Sequence, residues 1–332
     1  MRILLVGHFD NLPDEGTRIV ARNFASEISN HGVETLAVDW HHIWDSKSEI
    51  ESYSPRIVHA VGGPSSRWLF HVLSKLRRIR SRPRIVFSAL QPTLKKYPAV
   101  FTSGKPDLAL IQSSRSERFF NDAGVQTEYV MNGVDMARFR PADSRQRESL
   151  RRTLGLKNEE MILSIGAINH GRGVGSLASV VDENRVVFLV VPQYSRVDKR
   201  LRDSLVAAGC RLVRGHLTNI EKLYQAADIF VFTAPPETPT NSIDCPLSVL
   251  EAMSSNLCVA STAFGTIPRM FSESNHFRYY NGLEELAETI CQLSEGRTTS
   301  PPNRQMASPY SWPNVAERIA EVYSDVDAMQ NG

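Results

Sequence analysis

Short apolar runs bounded by turn residues alternate along the chain with longer stretches in which apolar positions recur every three to four residues, the rhythm of βα units feeding a parallel sheet. In the first half, residues 2–6, 34–38, 56–61, 84–88, 108–111 and 127–130 are the expected strands. A helix is expected over 17–31, with Ile19, Val20, Phe24, Ala25 and Ile28 on one stripe and Gly32 as its stop. Periodicity then lapses around Pro141, and residues 139–147 read as a linker. The rhythm restarts with strands at 161–165, 186–191, 210–213, 228–232 and 257–260 and helices near 173–182, 196–208, 219–226 and 246–254. The expected architecture is α/β, two Rossmann-like lobes with open parallel sheets over 1–143 and 144–305. A terminal segment, 306–332, carries a helix with Val315, Ile319, Val322 and Tyr323 at helical spacing. Open α/β sheets bind ligands beyond the carboxyl ends of their strands, and two such lobes facing each other form a cleft, so the chemistry is expected there.

A length of 332 residues agrees with two cores rather than one. The strongest apolar run, residues 186–191, stops at Pro192, too short for a membrane span, and the apolar start is too short for a secretory leader. Cys210, Cys245, Cys258 and Cys291 show no CxxC spacing, so neither a zinc site nor a disulfide framework is suggested and a reduced, cytoplasmic setting is expected. Net charge is only +2, but it is unevenly spread: residues 1–145 hold 20 Lys and Arg against 15 Asp and Glu. Much of the excess comes from Lys75, Arg77, Arg78, Arg80, Arg82 and Arg84, followed by Lys95 and Lys96. With Leu73, Leu76 and Ile79 facing inward these cations form either a solvated helix face or a patch drawn to an anionic leaflet. No aromatic residues interleave with them as a nucleic-acid surface would require.

Four strings carry candidate chemistry. Asn132-Gly133-Val134-Asp135 runs through to Phe139 and Pro141; turn chemistry alone would account for its Asn-Gly. Residues 162–173 end a strand at Gly166 and Ala167 and then place Arg172 beside Gly173. That arrangement is either a turn with a solvated arginine or a phosphate contact built from a guanidinium and a helix start. Asp244-Cys-Pro246-Leu247-Ser248-Val-Leu-Glu251 opens a helix at Pro246, aiming the N–H groups of Leu247 and Ser248 at an anion. Glu251, one turn in, is able to accept hydrogen bonds from both hydroxyls of a ribose, while Asp244 either contacts substrate or caps the helix. The fourth string, residues 212–232, places a strand and Gly215-His216 before a helix ending at Ala227-Asp228.

Together these strings resemble the family 4 glycosyltransferases of GT-B fold, continuously from about residue 125 to about residue 325. The resemblance implies a cleft between two facing lobes and a C-terminal helix crossing back to the first. It implies donor-binding roles for Gly16, Gly166, Arg172, Gly173, Gly215, His216, Pro246, Leu247, Ser248 and Glu251, and catalytic roles for Asp244, Arg172 and Glu251. On the acceptor side it points to Thr17, Arg18, His59, Gly62 and Gly63. Departures accompany it. Ala167 stands where the family has a turn arginine and Arg172 where it has a lysine; Val61 replaces a histidine, Arg269 an acid, and Asp244 lies one residue late, with Glu237, farther upstream, the other candidate for that acid. His59 and His216 read equally as ordinary buried and loop histidines.

The expected activity is transfer of a hexose from a UDP- or GDP-sugar to a glycan or lipid-linked acceptor. By resemblance it is retaining and needs no metal and no cofactor, the nucleotide-sugar being a substrate. The expected location is cytoplasmic, with peripheral contact to the inner face of a membrane. A non-catalytic GT-B partner that binds nucleotide-sugar without turnover is the alternative, encouraged by Ala167, Val61 and the displaced acid; a sugar-nucleotide hydrolase or epimerase is a third. A nicotinamide dehydrogenase is disfavoured because neither lobe opens with Gly-x-Gly-x-x-Gly, and Asp325-Val326-Asp327 reads as a solvated face rather than a metal motif.

Overall fold

The computed structural model describes residues 1–9, 16–63, 66–91, 104–193, 195–215, 217–236, 244–297 and 301–328, without the side chains of 66–70 and 283. Among these, no helix is long and apolar enough to cross a membrane. The chain divides into two compact bodies. The first comprises Met1–Gly133, the stretch holding Asp244 and Cys245, and Trp312–Gly332; the second comprises the rest, from Val134 to Ser311. The division at Gly133 falls ahead of the expected linker. Within that linker Asp143 instead caps a helix, its carboxylate accepting from the N–H of Gln146 at 2.8 Å.

The first body is built on six parallel strands: β1 (Arg2–Gly7), β2 (Glu34–Asp39), β3 (Ile57–Gly62), β4 (Arg84–Ala89), β5 (Leu108–Ile111) and β6 (Gln126–Tyr129), in the order β2-β1-β3-β4-β5-β6. Its helices are α1 (Gly16–Ile28), α2 (Lys47–Tyr53), α3 (Ser66–Leu76) and α4 (Ser114–Asp122). Strand β3 is buried at every position, as a central parallel strand with both faces covered must be. Leu73, Leu76 and Ile79 face the core as the sequence implied, leaving the intervening cations outside.

The second body repeats the plan with β7 (Glu160–Ile165), β8 (Arg185–Val191), β9 (Arg211–Arg214), β10 (Ile229–Phe232), β11 (Cys258–Ser261) and β12 (Phe277–Tyr279), in the order β12-β11-β10-β7-β8-β9. Here the helices are α5 (Ser144–Thr153), α6 (Lys199–Ala207), α7 (Glu221–Ala226), α8 (Leu247–Ser254), α9 (Ile267–Met270), α10 (Gly282–Gly296) and α11 (Asn303–Ala307). The expected helix at 173–182 is instead a run of 3-10 turns over Val174–Val180, entered through Gly173 in a left-handed conformation at φ 65°. Asp228, 3% exposed at its side chain, gathers Arg147 at 2.6 Å, Arg151 at 2.8 Å and Arg297 at 2.6 Å. It also accepts the N–H of Met161 at 2.8 Å, so one carboxylate fastens α5 and the end of α10 to β7.

The last helix, α12 (Trp312–Ala328), returns to the first body and packs on α1. Trp312 meets Phe24 edge to face at 5.8 Å, and Val315, Ile319, Val322 and Tyr323 are buried along the same stripe. Gly133 permits this, since a Cβ there would lie 2.4 Å from the Trp312 ring. The α/β class and the two parallel sheets expected from the sequence are what the structure contains.

Candidate functional site

In the second sheet the strand order reverses between β7 and β10, and the crevice at such a switch point is where open α/β sheets take ligands. The turn after β7 is shaped to sit there. Gly173 lies so close to β10 that a Cβ would fall 2.4 Å from the Thr233 carbonyl oxygen. The Thr233 hydroxyl in turn donates to the Arg172 carbonyl at 2.6 Å. Arg172 is thereby fixed by its backbone while its half-buried guanidinium finds no acceptor among the described residues, and desolvation holds its pKa below the ordinary arginine value. A cation kept partly out of water with nothing to neutralise it is a receptor for an anion. Around it space is open, for a Cβ on Gly166 or on Gly215, which follows β9 at φ 141°, would meet nothing within 4 Å. His216 lies outside the described residues.

Helix α8 begins at Leu247, with Pro246 in the N-cap position and no side chain capping it; the N–H groups of Val249 and Leu250 donate to the Pro246 carbonyl at 3.2 and 3.5 Å, while those of Leu247 and Ser248 have no acceptor within the helix. One turn in, Oε2 of Glu251 accepts a hydrogen bond of 2.5 Å from the hydroxyl of Tyr224 on α7. Burial pushes the Glu251 carboxyl up to about 7, against the opposing pull of that hydroxyl and of Arg138. Tyr224 is itself fully buried, edge-on to Phe139 at 5.4 Å and stacked on Phe230 at 5.9 Å. Sequence reasoning passed over Tyr224, although its place on the helix facing α8 was legible.

The Asn-Gly-Val-Asp string works by holding backbone. Asn132, wholly buried, accepts from Gln112 at 2.7 Å and donates to the Cys245 carbonyl at 2.8 Å. Asp135 closes an Asx turn on the N–H groups of Ala137 and Arg138 at 3.0 and 2.9 Å.

Asp244 departs from both sequence readings. Its Oδ2 accepts from the hydroxyls of Ser113 at 2.5 Å and Ser116 at 3.3 Å, and its own N–H donates to the Leu90 carbonyl at 2.8 Å. It belongs with the first body and is 3% exposed, spending its carboxylate on the start of α4 instead of on a donor sugar or on the opening of α8. Burial raises its carboxyl to about 6.

On the first body, Gly16, Thr17 and Arg18 form the first turn of α1, Gly62 is the last residue of β3 and Gly63 follows it. His59 is corrected to a core residue. With no exposed surface, its Nδ1 bonds to Tyr323 at 2.6 Å and its Nε2 to Ser88 at 2.7 Å, and burial lowers its pKa to about 3. Neither nitrogen is left for a substrate. Arg84 also leaves the surface set: it is half-buried and paired with Asp107 at 2.7 Å. Lys75, Arg77, Arg78, Arg80 and Arg82 remain at or near the surface. His8, Asp39 and His41 bring possible metal-ligand atoms within 4.8 Å of one another. Those atoms are committed to one another's surroundings: His8 Nδ1 accepts from Trp40 at 2.8 Å, and Asp39 accepts from the N–H groups of Phe9 and His41 at 2.8 and 2.9 Å.

Comparison with known proteins gives this geometry a context. The family model described as glycosyl transferases group 1 matches residues 160–295, the span that holds Gly166, Arg172, Gly173, Gly215, Tyr224 and Glu251. Sulfoquinovosyl transferase SQD2 of Arabidopsis thaliana is 25% identical over 353 residues, covering 97% of this chain and 67% of its own. Among solved structures, Anabaena Alr3699/HepE in complex with UDP and glucose superposes with a TM-score of 0.75 at 14% identity, over 97% of this chain and 99% of its own. Sucrose-phosphate synthase of Thermosynechococcus elongatus does so with a TM-score of 0.75 at 13% identity, over 99% of each chain. The fold is that of these GT-B enzymes, and the resemblance to group 1 glycosyltransferases is borne out.

Proposed function

We propose that this group 1 glycosyltransferase of GT-B fold moves a hexose from a UDP- or GDP-sugar to a glycan or lipid-linked acceptor, with retention of configuration. The observation that carries the reading is Arg172, a guanidinium held at the switch point with no partner among the described residues and beside a turn that only glycine fits. In the reaction the bond from the anomeric carbon to the diphosphate oxygen breaks, and negative charge grows on the leaving diphosphate. Arg172 and the first-turn N–H groups of α8 are the fixed positive groups assigned to that charge, and such preorganised stabilisation is the main contribution a protein makes to this chemistry. Glu251 is assigned to the ribose, presenting Oε1 while Tyr224 holds Oε2. These groups supply the charge without a divalent ion. UDP is the first nucleotide to test, because the HepE structures hold UDP, glucose and UDP-glucose.

The acceptor is assigned to the first body, whose exposed cations Arg77, Arg78, Arg80 and Arg82 suit an anionic membrane surface on the cytoplasmic side. The test is nucleotide release from a panel of UDP- and GDP-sugars, with and without EDTA and lipid extract. Acceptor-dependent release that survives EDTA and is lost in Glu251→Ala supports the transferase. Saturable binding with no release under any acceptor supports the second reading, a non-catalytic nucleotide-sugar-binding partner. That reading draws on Asp244, whose carboxylate is taken up by two serines.

A further inference from the structure

The turn that follows β2 sends consecutive residues in opposite directions. Ile43 is 2% exposed within the core of the first body, whereas Trp44 is 39% exposed, one of two large apolar side chains among the described residues that face water. The arrangement is held by backbone bonds: the Ser46 N–H donates to the His42 carbonyl at 2.9 Å and the Lys47 N–H to the Trp44 carbonyl at 3.3 Å. Because Ile43 is seated below, the indole cannot fold in without unseating it.

Cations from two elements gather at this indole. Lys47 Nζ lies 5.8 Å from the centre of the Trp44 ring and Arg78 Cζ lies 5.5 Å from it, while Lys75 Nζ stands 5.7 Å from the neighbouring Trp40. Arg77, Arg80 and Arg82 are exposed beyond them. The nearby acids Asp45, which pairs with His42 at 3.0 Å, Glu49, and Glu51, which accepts the backbone N–H of Arg80 at 3.0 Å, are three carboxylates against six cations, so the patch keeps a net positive charge.

We propose that Trp44, flanked by Lys47 and Arg78 and with Lys75 against Trp40, is the anchor by which the first body docks on an anionic lipid surface. The proposal rests on the peripheral-membrane reading above and adds to it a defined insertion point. An indole has an apolar body and a single N–H donor, a combination that is best accommodated at the headgroup level of a bilayer, where acyl chains and phosphates are both within reach. Cations beside it reach the phosphates of the same headgroups, so the apolar and electrostatic contributions act at one place. A single-stranded nucleic acid fits less well, because a base would have to stack on a ring already occupied by cations.

The full-length protein is to be mixed with phosphatidylcholine vesicles, with and without phosphatidylglycerol, and followed by co-sedimentation and tryptophan fluorescence. The expected result is binding to the anionic vesicles alone, with a blue-shifted emission protected from an aqueous quencher. Trp44→Ala is expected to lower partitioning about tenfold and to abolish the shift; its thermal unfolding should match the parent, since the side chain is exposed. Arg78→Glu with Lys75→Glu is expected to remove most of the binding at low salt. Undiminished binding of Trp44→Ala to anionic vesicles, or binding without any shift, overturns the anchor and leaves the peripheral reading in place. Absence of binding to either vesicle overturns both.

Discussion

The hydroxyl of Tyr224 donates to Oε2 of Glu251 across 2.5 Å, and this bond fixes which carboxylate oxygen is available at the start of α8. With Oε2 engaged, Oε1 is the oxygen left for the proposed ribose contact. Glu251 needs the help, because burial alone drives its carboxyl towards the neutral form, which donates from one oxygen where a ribose requires an acceptor.

Nucleotide affinity should therefore rise with pH through about 7 as Glu251 ionises. Tyr224→Phe removes a hydrogen bond to a charged group, about 1.5–3 kcal/mol, and should move that transition upward by about one to two units. Glu251→Gln should flatten the profile. The sign for stability is opposite to that for affinity: a folded pKa raised from 4.5 to about 7 contributes stability that is complete below the unfolded value and lost as pH rises through 7. UDP titrations from pH 5.5 to 8.5, run beside urea unfolding at the same pH values, check both signs.

Arg172→Ala should lower turnover by about 10²- to 10³-fold, the loss seen when one fixed donor to a developing charge is removed. Stability should hold or rise slightly, because the lost guanidinium is desolvated and has no partner among the described residues. Arg172→Lys keeps the charge without the planar fork and should recover part of the rate. A large fall in melting temperature for Arg172→Ala would count against a ligand role and for a structural one.

Gly173→Ala and Gly166→Ala should separate folding from binding. The first places a Cβ 2.4 Å from the Thr233 carbonyl oxygen at a φ of 65° and should cost about 2–3 kcal/mol in chemical denaturation. The second meets nothing within 4 Å, so it should leave stability nearly unchanged and weaken nucleotide binding by filling ligand space.

Asp244→Asn tests the carboxylate that two serines hold. An amide oxygen still accepts from Ser113 and Ser116, so a residue whose work is to fasten the chain should retain most activity after the change. The variant should also lose a pH dependence: with the folded carboxyl raised from 3.8 to about 6, Asp244 contributes stability that is complete below 3.8 and lost as pH rises through 6. Loss of turnover by a hundredfold or more, with stability intact, would restore Asp244 to the reacting centre.

The strands were legible because apolar β-branched runs with Gly or Pro at their ends mark buried parallel strands, and eleven expected runs each have a strand in place. β12 was not, since three residues of mixed burial carry too little pattern. The helix expected from residue 173 resolved into 3-10 turns because Gly173 enters left-handed and packs against the Thr233 carbonyl just beyond β10, a tertiary demand that local periodicity does not register. The hydrogen bonds of Asp244 were not legible because its partners, Ser113 and Ser116, lie far earlier in the chain, and the two readings of His59 stayed level because strand periodicity does not reveal that Tyr323 and Ser88 will take both nitrogens.

The first body is assembled from three separate stretches of chain, and this gives its synthesis a particular order. Six strands are complete once residue 129 has left the ribosome, yet Phe24 still lacks Trp312, His59 still lacks Tyr323, and the serines opening α4 still lack Asp244. The part translated first is the last to close, and until the final helix emerges it carries an unsealed apolar face that a chaperone has time to cover. A protein truncated after residue 133 would keep that face permanently, so its isolated first body is expected to aggregate more readily than the whole chain.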